Sequence, residues 1–318
     1  MKKLLLFFTL AFVAMSCGDP YAHYQSNKIW YTTADGNIVV PKCDEYGYSL
    51  EHSRYGASIV SNKYDAEKEC WVITFDGDVT KIGWSAFENC SNLTSITIPN
   101  SVTTIGDSAF ENCSSLTSIS IPDNVTTIEY RAFSGCSSLT SVTIPDSVTK
   151  IEGQTFMHCS SLKEINSKYA SEDHRCLIID GVLDSFARAG LTEYIIPDSV
   201  TKIGNSTFSG CSNLTSITIP DSVTTIEKLA FEDCSSLTSI TIPDSVTKIG
   251  ASAFDDCSSL RSVYCKAITP PLGGWCIFNL RASQLKILKI YVPIESVKAY
   301  KSAKEWSNYA SSIVGYDF

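Results

Sequence analysis

The phrase CSNLTSITIPNSVTTIGDSAFEN runs from Cys90 to Asn112, and Cys113 opens a near copy, CSSLTSISIPDNVTTIEYRAFSG. A 23-residue phrase is too short to close a core of its own. Tandem copies must bury their apolar residues against the same residues of the next copy, which is the logic of a solenoid. The cysteine column reads Cys90, Cys113, Cys136, Cys159, Cys211, Cys234 and Cys257. Its spacing is 23 residues except across the 52 from Cys159 to Cys211, where Arg188 stands in the missing place. The leucine column (Leu93, Leu116, Leu139, Leu162, Leu191, Leu214, Leu237, Leu260) resolves that interval into one unit of 29 and one of 23. The register also reaches back to Cys70 and forward to ILKIYVPIESV, where Ile287, Ile290, Val292 and Pro293 match Leu93, Ile96, Ile98 and Pro99.

Within a unit, LTSITIP alternates as a strand does: Ile96 and Ile98 face inward, Ser95 and Thr97 outward. Pro99, with no N–H to donate, ends the strand, and Asn100 and Ser101 suit a turn. Val102, Ile105, Ala109 and Phe110 then return apolar side chains to the core. About ten coils stacked at about 4.8 Å each predict a parallel β stack on the order of 50 Å long.

These columns resemble the BspA-like leucine-rich repeat, carried by CSSLTSITIPDSVTKIGASAFDDC over roughly residues 70–265. The fold expected is a leucine-rich-repeat β-solenoid, capped by residues 17–69 and by 266–318. The flanking IWYTTADGNIVVP and YVPIESVKAYKSAKEW segments resemble the ends of surface proteins of anaerobic bacteria that carry this repeat. The resemblance implies an exported or surface-attached protein, and some members bind extracellular-matrix proteins or other cells. The departure is the stretched coil at about 162–190, whose LIIDGVL fits an added strand or hairpin. The tail ESVKAYKSAKEWSNYA is expected to be a helix covering the last coil with Val297, Tyr300 and Ala303 or Trp306.

Residues 1–16 read as an export signal: Lys2 and Lys3 precede the apolar run LLLFFTLAFVAM. The AMSC sequence resembles a lipobox, which would make Cys17 a lipid-attachment site and the membrane a partner through acyl chains alone; ordinary cleavage after Ser16 is the alternative. A net charge of −9 argues against nucleic acid as a partner.

Thirteen cysteines in an exported chain suggest disulfides. Within one column, however, the parallel Cβ vectors do not favour bonding, and buried free thiols are expected. Cys43, Cys176, Cys265 and Cys276 lie off the column, and the last two are candidates for a bridge.

None of His23, His52, His158 and His174 sits in a nucleophile motif. A catalytic site would require a deep pocket near His158 or His174. No cofactor, catalytic residue or metal site is assigned. Asp123, Asp146, Asp198, Asp221 and Asp244 form an acidic stripe at the turns, read as turn caps rather than a cation row.

The candidate binding face is the outward side of the strands: Ser95, Thr97, Ser118, Ser120, Ser141, Thr143, Glu164, Asn166, Glu193, Tyr194, Ser216, Thr218, Ser239, Thr241 and Tyr264. Ile195 and Ser262 fall in the same two outward columns. Such a face suits a protein or glycan on host or neighbouring cells, bound by a monomer, better than a small substrate. A structural role within an envelope complex is the competing reading.

Overall fold

The computed structural model describes residues 25–42 and 54–318. The export signal, Cys17, His23, Cys43 and His52 lie outside the described residues.

The chain winds as a β-solenoid of about ten turns. Each LTSITIP phrase supplies one rung of a strand ladder. Its members include Ser141–Thr143 beside Glu164–Asn166, and Glu193–Ile195 beside Ser216–Thr218, all parallel. The ladder closes with Ser239–Ile242, Ser262–Cys265, Lys289–Pro293 and Ile313–Tyr316. A second parallel ladder, not anticipated from sequence, is built from two-residue strands at the T-I or K-I of each unit, such as Thr104–Ile105 on Thr127–Ile128. Between the ladders the AF..C segment turns through two left-handed positions per coil. Ser108, Arg131, Gln154, Ser206, Leu229 and Ser252 fill the first, with φ between 52° and 62°. Asn112, Gly135, His158, Gly210, Asp233 and Asp256 fill the second, with φ between 49° and 73°.

The core is periodic. Phe87, Phe110, Phe133 and Phe156 stack at 5.4–5.5 Å with planes within 5°. The cysteine column is buried from Cys113 onward, and its members are free thiols. Each of Cys113, Cys136, Cys159, Cys234 and Cys257 donates its Sγ–H to the carbonyl of the phenylalanine 26 residues earlier, at 3.1–3.3 Å. A small thiol thus fills the space beneath the preceding coil and satisfies a carbonyl there. Cys265 and Cys276 are likewise free, not bridged.

The stretched coil contains the expected hairpin. Cys176–Ile179 runs antiparallel to Val182–Phe186 across Asp180 (φ 50°) and Gly181 (φ 77°), the pair of left-handed residues that a two-residue hairpin turn requires. Its second strand joins the short ladder at Lys202–Ile203. The insertion divides the core into two clusters: Ile29 to Leu177 with Ala187, and Cys176 to Ile313.

The caps differ from expectation. The strand Cys70–Phe75 does not stack as a coil. It pairs antiparallel with Lys28–Thr33, which inserts between it and Leu93–Ile96. At the other end the helix is short, Val297–Ser302, because the chain turns extended at Ala303 (ψ 144°). Tyr300 and Trp306 still cover the last coil, donating to the carbonyls of Ala267 and Pro271 at 2.8 Å each. In the last matched unit Leu288, not Ile287, enters the core; Ile287 is exposed.

Candidate functional site

Alternation along the strands turns one side chain in two away from the core, and parallel stacking aligns these side chains into columns. Thr143 lies beside Asn166, and Ile195 beside Thr218. Thr241 lies beside Tyr264 and Tyr264 beside Tyr291. The second column places Ser141 against Glu164, Glu193 against Ser216 and Ser239 against Ser262. Ser120 forms isolated bridges with Thr97 and Thr143, and Ser118, two residues before it, is half-buried.

Two of the expected residues do not reach this face. Thr97 is 2% exposed because the N-terminal strand roofs the first coil: Thr97 N donates to Trp30 O at 2.9 Å, and the buried Trp30 ring lies beneath Lys28 and Lys68. Ser95 is half-covered by the same strand, 2.5 Å from Thr32 Oγ1. Tyr194 occupies the inward column and is 8% exposed, with its hydroxyl 3.1 Å from Cys176 Sγ and in reach of Asp173. Its neighbour Ile195 takes the outward place and is 73% exposed.

Over the fifth to seventh coils the face deepens into a trough of about 780 Å³. Ser216, Thr218, Ser239 and Thr241 line it together with Ile195, Asp198, Asp221 and Lys266. Beyond Thr241 the outward column becomes aromatic. Tyr264 stacks on Tyr291 at 4.8 Å with 13° between planes, and Tyr316 meets both edge-on at 5.6 and 5.4 Å. Tyr291 falls in the column of Thr97 and was accessible by carrying the register past Tyr264. Tyr316 was not, because its strand lies outside the repeated phrase.

Of the described histidines, neither His158 nor His174 lines the trough or the other large cavity of the described residues. His158 holds one of the left-handed corners, with φ 60°, in a column otherwise filled by Asn, Gly and Asp. The space beside it, bounded by Asp184, Ser185 and Arg188, amounts to about 10 Å³, room for one water at most. His174 is exposed, and its carbonyl accepts from Ile165 N at 2.8 Å. Among the described residues no three His, Cys, Asp or Glu converge on a common point. The serines of the PDS turns bind the preceding coil instead: Ser147, Ser222 and Ser245 donate to Val125, Val200 and Val223 carbonyls at 2.7–2.8 Å.

Comparison with known families gives one match: the BspA type leucine rich repeat region, six copies over residues 58–172 and 183–303. Comparison with curated protein sequences gives no match. Among solved structures, a leucine rich cell surface protein from Faecalibacterium prausnitzii is similar at 26% identity and TM-score 0.56, over 75% of this chain and 68% of that one. A leucine-rich repeat protein from Eubacterium ventriosum is similar at 26% identity and TM-score 0.52, over 69% of this chain and 64% of its own length. The pneumococcal vaccine antigen PcpA shares the fold at 19% identity and TM-score 0.52, over 76% of this chain and 72% of that one.

Proposed function

This chain belongs to the BspA-type leucine-rich repeat family, and from that premise we propose that it is a cell-surface binding protein whose strand face holds an extended ligand on host or neighbouring cells. The observation that carries the reading is the trough over Thr218 and Thr241, whose Thr241 is the register neighbour of Tyr264 in the stacked Tyr264–Tyr291 pair. A row of outward hydroxyls offers a donor and an acceptor at each rung, and the aromatic end supplies apolar area for a hot spot. No step of bond making is needed for such a role. The description of the Faecalibacterium relative as a cell surface protein supports the location. Attachment through lipidated Cys17 completes the proposal, with the protein acting as an adhesin-like monomer. Mass spectrometry of the mature N-terminus tests the anchor.

The test of the face is an unbiased screen of the mature protein against matrix proteins, mucins and bacterial surfaces. Thr218→Arg with Thr241→Arg fills the trough at exposed positions, so folding should be kept while the captured partner is lost. Capture that survives the double substitution places the ligand elsewhere and sinks the reading. A glycan ligand is a second reading, favoured by the outward hydroxyls of Thr218 and Thr241, which can donate to and accept from sugar hydroxyls; a glycan array separates it from a protein ligand.

A further inference from the structure

The six extra residues of the stretched coil leave an opening as well as a hairpin. On either side of it, a coil hands a backbone hydrogen bond to the next at the start of the strand: Lys163 N donates to Thr140 O at 2.9 Å, and Thr215 N to Thr192 O at 2.7 Å. Between Lys163 and Thr192 that rung is replaced by Ala189 N donating to Leu162 O at 3.0 Å. The chain swings out through Gly190, whose φ of 80° and open surroundings leave space where a regular coil would pack. A pocket of about 430 Å³ results at the rim of the stack, apart from the trough.

Its lining is polar and cationic. Ser160, Ser161, Ser212 and Asn213 contribute hydroxyl and amide groups, and Lys163 and Arg188 contribute charge. Arg188 occupies the column position that the other repeats fill with cysteine, a small side chain that satisfies packing there. Its guanidinium is held by donation from Nη1 to Ser209 O at 2.7 Å. Gly210 makes room for it, since a Cβ there would lie 2.8 Å from Nη1. Among the described residues, no carboxylate forms an ion pair with Arg188 or Lys163. A half-buried arginine with no counter-ion costs stability that a thiol would not. In a protein of net charge −9, an arginine and an exposed lysine that line one pocket, neither ion-paired to a carboxylate among the described residues, favour an anionic ligand.

We infer that this pocket binds an acidic saccharide, with the Arg188 guanidinium and Lys163 receiving a sugar carboxylate and the Ser and Asn groups receiving ring hydroxyls. The planar fork of arginine suits a carboxylate through paired hydrogen bonds. The volume lies within the range of small-ligand sites, and the hydroxyl-rich wall suits a sugar better than an apolar ligand. The site is independent of the strand-face reading, because neither Thr218 nor Thr241 lines it.

The test is calorimetric titration of the mature protein with 3′-sialyllactose and digalacturonic acid. Lactose and the dimethyl ester of digalacturonic acid serve as uncharged counterparts, and a short oligoglutamate as a sugar-free polyanion. At least one acidic sugar should bind about tenfold more tightly than its counterpart and than the oligoglutamate; which one distinguishes a sialic from a uronic acid. Arg188→Met and Ser212→Trp should each weaken that binding about tenfold or more, and Lys163→Met about threefold. Thr218→Arg with Thr241→Arg should leave it unchanged, so loss of the strand-face ligand and loss of this one are read separately. Should Arg188→Met fail to fold, the exposed positions Ser212 and Lys163 decide. No binding of either acidic sugar at millimolar concentration, equal binding of the uncharged counterparts or of oligoglutamate, or affinity indifferent to Ser212→Trp and Lys163→Met would each overturn the inference.

Discussion

Phe186 meets Phe208 at 4.8 Å with 55° between the rings, whereas Phe208, Phe231 and Phe254 stack face to face within 2°. Both rings belong to the second core cluster, and the boundary with the first lies before them, between Phe156 and Phe186. Each coil packs only against its neighbours, so damage should remain on its own side of that boundary. Truncating a buried phenylalanine costs about 3–5 kcal/mol. In Phe110→Ala, hydrogen exchange should accelerate mainly before residue 176, and in Phe231→Ala mainly after it. Uniform acceleration in both variants would show a single cooperative unit instead.

The buried thiols make stability sensitive to alkali. Burial pushes Cys159 up to about 12 and Cys90 and Cys211 to about 11. An unfolded thiol ionises near about 8.5. The neutral thiols therefore contribute in full below that pH, and their contribution is lost as pH rises through the folded values. The urea midpoint should fall progressively from about pH 9 upward, and Cys159→Ala should make the fall shallower. Among the described cysteines, the half-buried Cys90 and Cys276 should react with a thiol reagent well before Cys113 or Cys257.

His158 is a backbone corner in this structure. Its left-handed conformation costs a residue with a Cβ about 1–2 kcal/mol, which glycine avoids at some entropic expense. His158→Gly should leave stability equal or higher by up to about 1 kcal/mol, and His158→Val should lower it by about 1–2 kcal/mol. Differential scanning calorimetry reads both. Strong destabilisation by glycine would show that the imidazole matters.

The serine ladder should be measurable one rung at a time. Ser222 and Ser245 each tie a turn to the coil before it. Removing either hydroxyl should cost about 1 kcal/mol by denaturant titration. No loss in either alanine variant would mean that water replaces the bond without penalty.

What was legible in the chain was what recurs. The Leu93, Ile96 and Phe110 columns gave the coil, the buried stack and the outward face, because stacking forces equivalent residues into equivalent places. The second ladder was hidden because two residues, Thr104 and Ile105, are too few to show alternation. The left-handed corners carry a signal of their own: the residue before each column cysteine from Cys90 onward is Asn, Asn, Gly, His, Gly, Asp or Asp, types that tolerate positive φ. Tyr194 differs from its expected outward place by one position of register, and in a strand a shift of one residue exchanges inside for outside. The burial of Thr97 depended on Lys28–Thr33, a strand from a region with no repeat, and nothing local to Thr97 announces it.

Both ends of the stack are closed by segments unlike the coils: Lys28–Thr33 with Cys70–Phe75 at one end, Tyr300 and Trp306 at the other. The strand pairings of the first closure and the Tyr300 and Trp306 hydrogen bonds of the second end outside the interior coils from Cys211 to Cys257. Removing or duplicating one 23-residue phrase in that stretch would leave every remaining junction the same as before. The length of this protein is thus an adjustable dimension, separable from its foldability. A lineage could alter how far the molecule reaches, and how many rungs it offers, by copying a phrase rather than inventing one.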